Sequence, residues 1–248
     1  MVLTCNEADR IEPCLRSVHG WCDELLVIDS GSTDATVEIA QRYATRVYET
    51  DWPGFGPQRN RALSYCTGEW VMTLDADEVV TDELRREIDA MLSGDLSGIS
   101  ALAVPWQAMI FGREVRHGRY TAPQVRIFRR AGAAFLNVQV HEAMLPAPGR
   151  VVVLRARLPH DSFRNYQHAV DKHTHYAVML AERKFSSGKT GGLLRASLRA
   201  RWEFIVQYFF RGLILDGSRG YFLAVLLSQY AYHKYAALWA MSLDNKKT

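Results

Sequence analysis

At 248 residues the chain is long enough for one large domain or one domain with a substantial appendage. With 48% hydrophobic and 23% charged residues its composition is globular, which excludes a disordered polymer, a collagen and a disulfide-stapled miniprotein. The 30 Lys and Arg against 27 acidic residues leave a net charge of +3, too weak a bias to argue for a nucleic-acid partner. Cys5, Cys14, Cys22 and Cys66 form no CxxC pair, which speaks against a zinc ribbon or thioredoxin motif and for a reducing compartment. The start lacks the basic residues and long apolar run of a signal peptide, and no Asn-x-Ser/Thr site occurs, so a cytoplasmic location is expected.

The first half alternates short apolar runs with helical patterns. Val2 to Cys5 reads as a strand, and Asp9 to Val18 as a helix with Ile11, Leu15 and Val18 on one face. Leu25 to Ile28 is the second strand, followed by a turn and a helix from Asp34 to Tyr43, with Ser32 or Thr33 as N-cap. Arg46 to Glu49 is the third strand. The Gly- and Pro-rich loop Asp51 to Gly56 leads into a helix with Pro57 in its first turn, and Trp70 to Leu74 is the fourth strand. Such alternation implies a parallel sheet. Thr81 then caps a helix whose first turn carries Asp82 and Glu83.

From Ser100 to Arg157 the runs Ala101 to Pro105, Val125 to Arg129 and Val151 to Ala156 read as antiparallel additions to that sheet. After His160 the pattern is helical. Tyr166, Ala169, Val170, His173, Tyr176, Ala177 and Leu180 follow the spacing of one buried face, and helical stretches at Leu193 to Leu215 and Tyr221 to Ser242 come next. We therefore expect an α/β catalytic domain over residues 1–160 and a helical extension over 161–248.

The segment Leu74-Asp75-Ala76-Asp77-Glu78 carries the strongest chemical signal. In extended backbone residues i and i+2 project to one side, so Asp75 and Asp77 can present two carboxylates at a strand's C-terminal end, where open α/β sheets bind ligands. Such a pair suits a hard divalent cation bridged to a diphosphate; the competing reading is a turn residue and a solvated one. The second strand also ends in an aspartate, Asp29. For Asp34, stabilisation of the helix start is favoured over substrate contact. Arg59 and Asn60 are placed to meet diphosphate or ribose, although Arg59 reads equally as a surface charge.

Taken together, Asn6-Glu7, Asp29-Ser30-Gly31-Ser32-Thr33-Asp34, Trp52 to Asn60, Asp75-Ala76-Asp77-Glu78, Gln124 to Arg129 and Val140-His141-Glu142 resemble family 2 glycosyltransferases. More narrowly, they are similar to the bacterial lipopolysaccharide core β-1,4-glucosyltransferase group. The resemblance implies a GT-A fold with a mixed, mainly parallel central sheet, a nucleotide-sugar donor, inversion at the anomeric carbon, and Mg²⁺ or Mn²⁺. It puts Asp29 at the nucleoside and has Asp75 and Asp77 hold ribose and metal-bound diphosphate. Asn6, Glu7, Arg59, Asn60, Gln124 and Arg126 are the other donor-side candidates. The implied reaction transfers a hexose, glucose from UDP-glucose, to a lipid-linked core oligosaccharide.

An inverting transfer needs a base for the acceptor hydroxyl and a cation for the departing diphosphate. Glu142, beside His141, is the candidate base, and Asp161 the reserve. His168, His173 and His175 lack HExxH spacing, so a zinc site is not expected. Gly188-Lys189-Thr190 fails as a P-loop because Arg183 stands where a glycine is required. Gly54-Phe55-Gly56 lacks the last glycine of a dinucleotide fingerprint.

In the tail, Phe204 to Leu215 and the aromatics from Tyr221 to Trp239 are interleaved with Arg195, Arg199, Arg201, Arg211 and Arg219. That combination fits helices lying in a membrane interface, while neither stretch makes a convincing span. The competing reading packs them on the catalytic domain or a second subunit. Two other functions stay open at this stage: a sugar-phosphate nucleotidyltransferase, which expects a Gly-rich loop where Thr4 to Ala8 stand, and a non-enzymatic membrane-associated binding module.

Overall fold

Three of the apolar runs line up side by side in a computed structural model that describes residues 1–137 and 143–244. Strand β1 (Val2–Thr4) pairs in parallel with β2 (Leu26–Asp29), with Val2 opposite Val27. The remaining elements of the first part are helix α1 (Ile11–Arg16), α2 (Thr36–Gln41), β3 (Arg46–Glu49), α3 (Phe55–Tyr65), β4 (Trp70–Met72), β5 (Leu74–Asp75), α4 (Asp82–Leu92) and β6 (Ile99–Ile110). Then come β7 (Arg113–Val115), β8 (Pro123–Arg129), β9 (Ala134–Phe135), β10 (Met144–Leu145), β11 (Arg150–Val153) and β12 (Leu158–Asp161). Helices α5 (Tyr166–Ser186), α6 (Leu193–Ile205) and α7 (Gly217–Asp244) follow. The chain divides into two compact units, 1–107 with 123–160 and 108–122 with 161–248.

In the first unit β3, β2, β1 and β5 form an all-parallel sheet in that order. A second sheet runs β11-β6-β8-β4, with β8 antiparallel to both β6 and β4. Two expectations about the sheets need correction. The run Trp70 to Leu74 is two strands, because Thr73 gives its N–H to the Arg126 carbonyl (2.8 Å) and the chain passes there from one sheet to the other. Strand β11 lies parallel to β6, because the β9–β10 excursion returns the chain to the end of the sheet from which β6 starts.

Packing rather than capping fixes the first helices. Neither α1 nor α2 has a side-chain cap from the residue preceding it, yet Ile11, Cys14 and Leu15 are fully buried in one core with Val2, Val27 and Leu74. Burying an apolar side chain of that size contributes about 1.5–3 kcal/mol, more than a cap supplies. Helix α2 starts two residues later than expected because Asp34 Oδ1, rather than Ser32 or Thr33, accepts from the Thr36 N–H (3.0 Å). Thr81 does cap α4, accepting from Leu84 N–H at 3.2 Å.

The second unit has its own core of Ile110, Val115, Phe163, Ala169, Leu213, Leu223 and Ala224. Its hairpin turns at Phe111 and Gly112, both at positive φ, the geometry of a two-residue primed turn. Helix α5 buries Ala169, His173, Ala177 and Ala181, four apart, while Tyr166, expected on that face, is exposed because it sits in the first turn, ahead of the packed stripe. The stretch expected as a helix from Leu193 to Leu215 continues past α6 as a π-turn over Val206–Phe210 and breaks at Gly212, whose φ of 77° suits glycine. Among the described residues no helix is long and apolar enough to cross a membrane.

His173 is a satisfied core residue. Its Nε2 faces the Tyr120 hydroxyl at 2.7 Å and its Nδ1 the Ala169 carbonyl at 2.9 Å, a neutral imidazole donating from Nδ1 and accepting at Nε2. Burial depresses its pKa to about 4. The unfolded chain therefore binds a proton below about 6.5 that the folded chain refuses until about 4. Stability should fall as pH drops through that window, by on the order of 3 kcal/mol from this group, and level off below it. Urea unfolding from pH 7 to 4 should show the slope, and His173→Gln should lose one proton's share of it.

Candidate active site at the end of β5

The sequence DADE begins on the last residue of β5, where the two sheets separate. Arg59, from α3, is buried and donates through Nη1 to Thr73 Oγ1 (2.8 Å) and through Nη2 to Asp75 Oδ1 (2.7 Å). Arg126, from β8, donates to Asp75 Oδ2 at 2.8 Å and to Glu78 Oε1. A buried guanidinium on either side of one carboxylate is a strong positioning device, because each carboxylate oxygen is held by its own charge-assisted hydrogen bond. Burial works against charge on Asp75, but the guanidiniums of Arg126 and Arg59 override it and hold the carboxyl well below its usual range. A third of the Asp75 side chain (32%) remains exposed, so a ligand can reach it.

Glu78 is fully buried behind this pair. It accepts from Asp75 N–H (2.9 Å) and Trp106 Nε1–H (2.7 Å) as well as from Arg126. Burial raises its pKa, with the Arg126 charge opposing. Asp77 turns to other partners, Arg10 Nη1 at 3.5 Å and His160 Nε2 at 3.3 Å. Burial alone would lower the His160 pKa, but the adjacent Asp77 raises it. Glu7 also faces Arg10, at 3.3 Å, so Glu7, Arg10, Asp77 and His160 form one chain of charges.

The Asn6 loop is stitched to the end of β2. Asn6, at φ 54°, donates N–H to Ser32 Oγ (2.8 Å) and accepts from Thr33 N–H at 2.8 Å. Asp34 Oδ2 accepts from Ala8 N–H at 3.2 Å, which makes it a loop tie. Asp29 is fully buried and accepts from the N–H groups of Gly31 (2.9 Å) and Ser32 (2.8 Å) and from the Ser32 hydroxyl. Gln58, also buried, ties Ser30 Oγ (2.9 Å) to Thr50 Oγ1 (2.7 Å).

Asn60 clamps the β9 backbone both ways, Nδ2 to the Phe135 carbonyl (2.9 Å) and Oδ1 from the Phe135 N–H (2.8 Å). Asn60→Ala leaves both peptide groups unmatched and should cost about 1–3 kcal/mol in urea unfolding. Gln124 lies two residues before Arg126 on β8, half-buried. His141 and Glu142 lie outside the described residues, and Asp161 is exposed at the end of β12.

The structure thus brings Arg59, Asp75 and Arg126 into direct contact, and joins Glu7 to Asp77 through Arg10. Of the residues that could hold a divalent cation, Asp75 and Asp77 supply oxygens. No group of three or more His, Cys, Asp or Glu side chains converges among the described residues. A cation here would complete its shell from substrate oxygens, the usual magnesium pattern.

Sequence reasoning missed Arg10, Trp106, His160 and the structural role of Glu78. The run of DADE hinted only at Glu78. A tryptophan after Pro105 and a histidine before Asp161 gave no periodic signal, because their partners, Glu78 and Asp77, lie far away in the chain, in the turn after β5.

The model of the family described as Glycosyl transferase family 2 matches residues 1–146, more than half of the chain. The chain belongs to glycosyl transferase family 2. An uncharacterized glycosyltransferase of Rickettsia typhi is 27% identical over 99% of this chain and 87% of its own length. The lipopolysaccharide core biosynthesis glycosyltransferase LpsC of Rhizobium meliloti is 26% identical over 93% of this chain and 87% of its own. Among solved structures, S. aureus TarS 1-349 in complex with UDP superposes with a TM-score of 0.52 at 18% identity, covering 100% of this chain and 90% of that one. The α/β architecture is that of GT-A glycosyltransferases, and the enzyme is a glycosyltransferase. The nucleotidyltransferase and non-enzymatic alternatives give way to this family membership.

Proposed function

We propose that this family 2 glycosyltransferase moves a hexose, glucose from UDP-glucose, onto the core saccharide of a lipid-linked lipopolysaccharide or lipooligosaccharide acceptor, with inversion. The observation that carries the donor side is the cluster at the end of β5. Two carboxylates two residues apart are held by Arg59 and Arg126 on one side and by Arg10 and His160 on the other. The acceptor class is supported by similarity to LpsC over nearly the whole chain, and the nucleotide by a structure of like fold carrying UDP.

In this reading Asp75 and Asp77 would hold Mg²⁺ or Mn²⁺, which would supply positive charge against the diphosphate of the donor. Asn6, Glu7, Asp29, Arg59, Asn60, Gln124 and Arg126 build or line the donor side. Asp29 and Asn6 act there by shaping the loops after β2 and β1, since their side-chain oxygens already accept loop N–H groups. Glu142, with His141 next to it, removes the acceptor hydroxyl proton. The acceptor oxygen then bonds to the anomeric carbon as the carbon–phosphate-oxygen bond breaks on the opposite face, and the nucleoside diphosphate leaves with the electron pair. The catalytic region is residues 1–160, and the helical extension from residue 161 places the enzyme at the inner face of the cytoplasmic membrane, where a lipid-linked acceptor is found.

Calorimetry across a panel of nucleotide sugars, with Mn²⁺ and with chelator, tests the donor assignment. UDP-glucose should bind most tightly, and at least about ten-fold more tightly with the metal than in chelator. Absence of binding by every nucleotide sugar would overturn the reading, and preference for another sugar would replace glucose.

A further inference from the structure

Helix α6 leaves an apolar stripe uncovered. Leu194 (76% exposed), Leu198 (56%), Trp202 (57%) and Ile205 (39%) fall within about 80° of arc at 100° per residue. Phe209 (56%) and Phe210 (76%) extend the exposed apolar surface through the π-turn, and Ile214 and Leu215 follow it in the chain. The opposite side of α6 is spent on the unit's interior, where Ala196 and Gln207 are buried and Phe204 packs on Tyr208 and Tyr221.

Charge on the exposed side is of one sign. Arg195 and Arg199 flank the stripe on one edge and Arg201 on the other, with Arg211 just past the π-turn, all exposed. The acidic residue of this helix, Glu203, points away, accepting from Gln207 (2.8 Å) and facing Arg119 at 3.7 Å. A protein partner would have to match a bare apolar ridge bordered only by arginines. An anionic lipid surface matches both features at once, acyl chains for the ridge and phosphates for the edges.

We propose that α6 lies in the plane of an anionic bilayer, with Leu194, Leu198, Trp202, Ile205 and Phe209 in the boundary between headgroups and acyl chains and the arginines at phosphate level. The proposal gives the membrane association its contact surface. It does not depend on which sugar is transferred, because nucleotide binding can be read separately.

The test is flotation of the intact chain with vesicles of phosphatidylcholine alone and of phosphatidylcholine with phosphatidylglycerol, at low and high salt. Binding should appear with the anionic vesicles and weaken with salt. The double variant Leu198→Glu/Trp202→Glu should bind at least roughly ten-fold more weakly, and Arg199→Gln about five-fold more weakly. Both should keep wild-type calorimetric binding of UDP with Mn²⁺, which separates loss of docking from loss of fold. Intrinsic fluorescence should shift to the blue on adding anionic vesicles, less so in Trp202→Tyr. Absence of vesicle binding at low salt, or equal binding by the double variant, would overturn the proposal. So would a concentration-dependent dimer in sedimentation that the double variant abolishes, since a second copy would then cover the stripe.

Discussion

Asp77→Asn should abolish the part of UDP binding that Mn²⁺ adds, a loss of at least about ten-fold or 1.4 kcal/mol, while binding in chelator is unchanged or slightly stronger. The asymmetry between the two aspartates makes this the informative substitution. Asp75 accepts from two buried guanidiniums, Arg59 at 2.7 Å and Arg126 at 2.8 Å, so removing its charge weakens both pairs and is expected to destabilise the fold before any ligand is considered. Asp77 faces Arg10 and His160 at 3.5 and 3.3 Å, longer pairs whose loss the fold tolerates better. The amide keeps the shape and an oxygen but not the charge that a hard cation selects. Removing one negative charge also relieves repulsion of the diphosphate, which is why metal-free binding should not fall. Calorimetry of both proteins with UDP, with Mn²⁺ and with chelator, gives the two numbers. A full Mn²⁺ increment in the variant would end the metal assignment.

The parallel sheet was legible because its strands are short apolar runs separated by helical periodicity, and Val2, Val27 and Leu74 align as that pattern requires. The division of Trp70 to Asp75 between two sheets was not, since nothing in an apolar run marks the residue at which hydrogen bonding changes partner; Thr73 is identified only by the Arg126 carbonyl and the Arg59 side chain it meets. At the site the i, i+2 spacing of Asp75 and Asp77 was visible, but the expectation that both face one ligand was incomplete. Each carboxylate is claimed by its own cations, brought from α3, β8, the segment before α1 and the end of β12. Those partners are 16, 51, 67 and 83 residues away in the chain, and local periodicity carries no information across such gaps. Asp29 adds a role that a strand-end aspartate does not reveal in sequence: in the fold its oxygens accept from Gly31 and Ser32 and shape the loop that follows.

Glu142→Gln should slow acceptor glycosylation by roughly 10²-fold or more while leaving donor affinity intact. An inverting displacement makes the acceptor hydroxyl a better nucleophile by taking its proton as the new bond forms, and glutamine matches glutamate in shape but has no basic oxygen for that proton. Residue 142 lies outside the described part of the chain; the residues on either side, up to Asn137 and from Ala143, are described. Phe135 pairs with Met144, Leu136 N–H bonds to the Ala143 carbonyl at 3.0 Å, and Asn60 holds the Phe135 backbone next to Arg59. Arg59 in turn lies with its guanidinium carbon 5.7 Å from the Phe135 ring centre and binds Asp75. Phe135, and with it Leu136, Ala143 and Met144, is therefore anchored beside Arg59 and Asp75. Single-turnover transfer at saturating donor isolates the step from product release. In the wild type the rate should rise with pH through the pKa of the base, because only the ionised form accepts a proton, and in Glu142→Gln that rising limb should disappear. A variant that transfers at a near-normal rate with the limb intact would move the role to another carboxylate, Asp161 first, and Asp161→Asn should then show both effects.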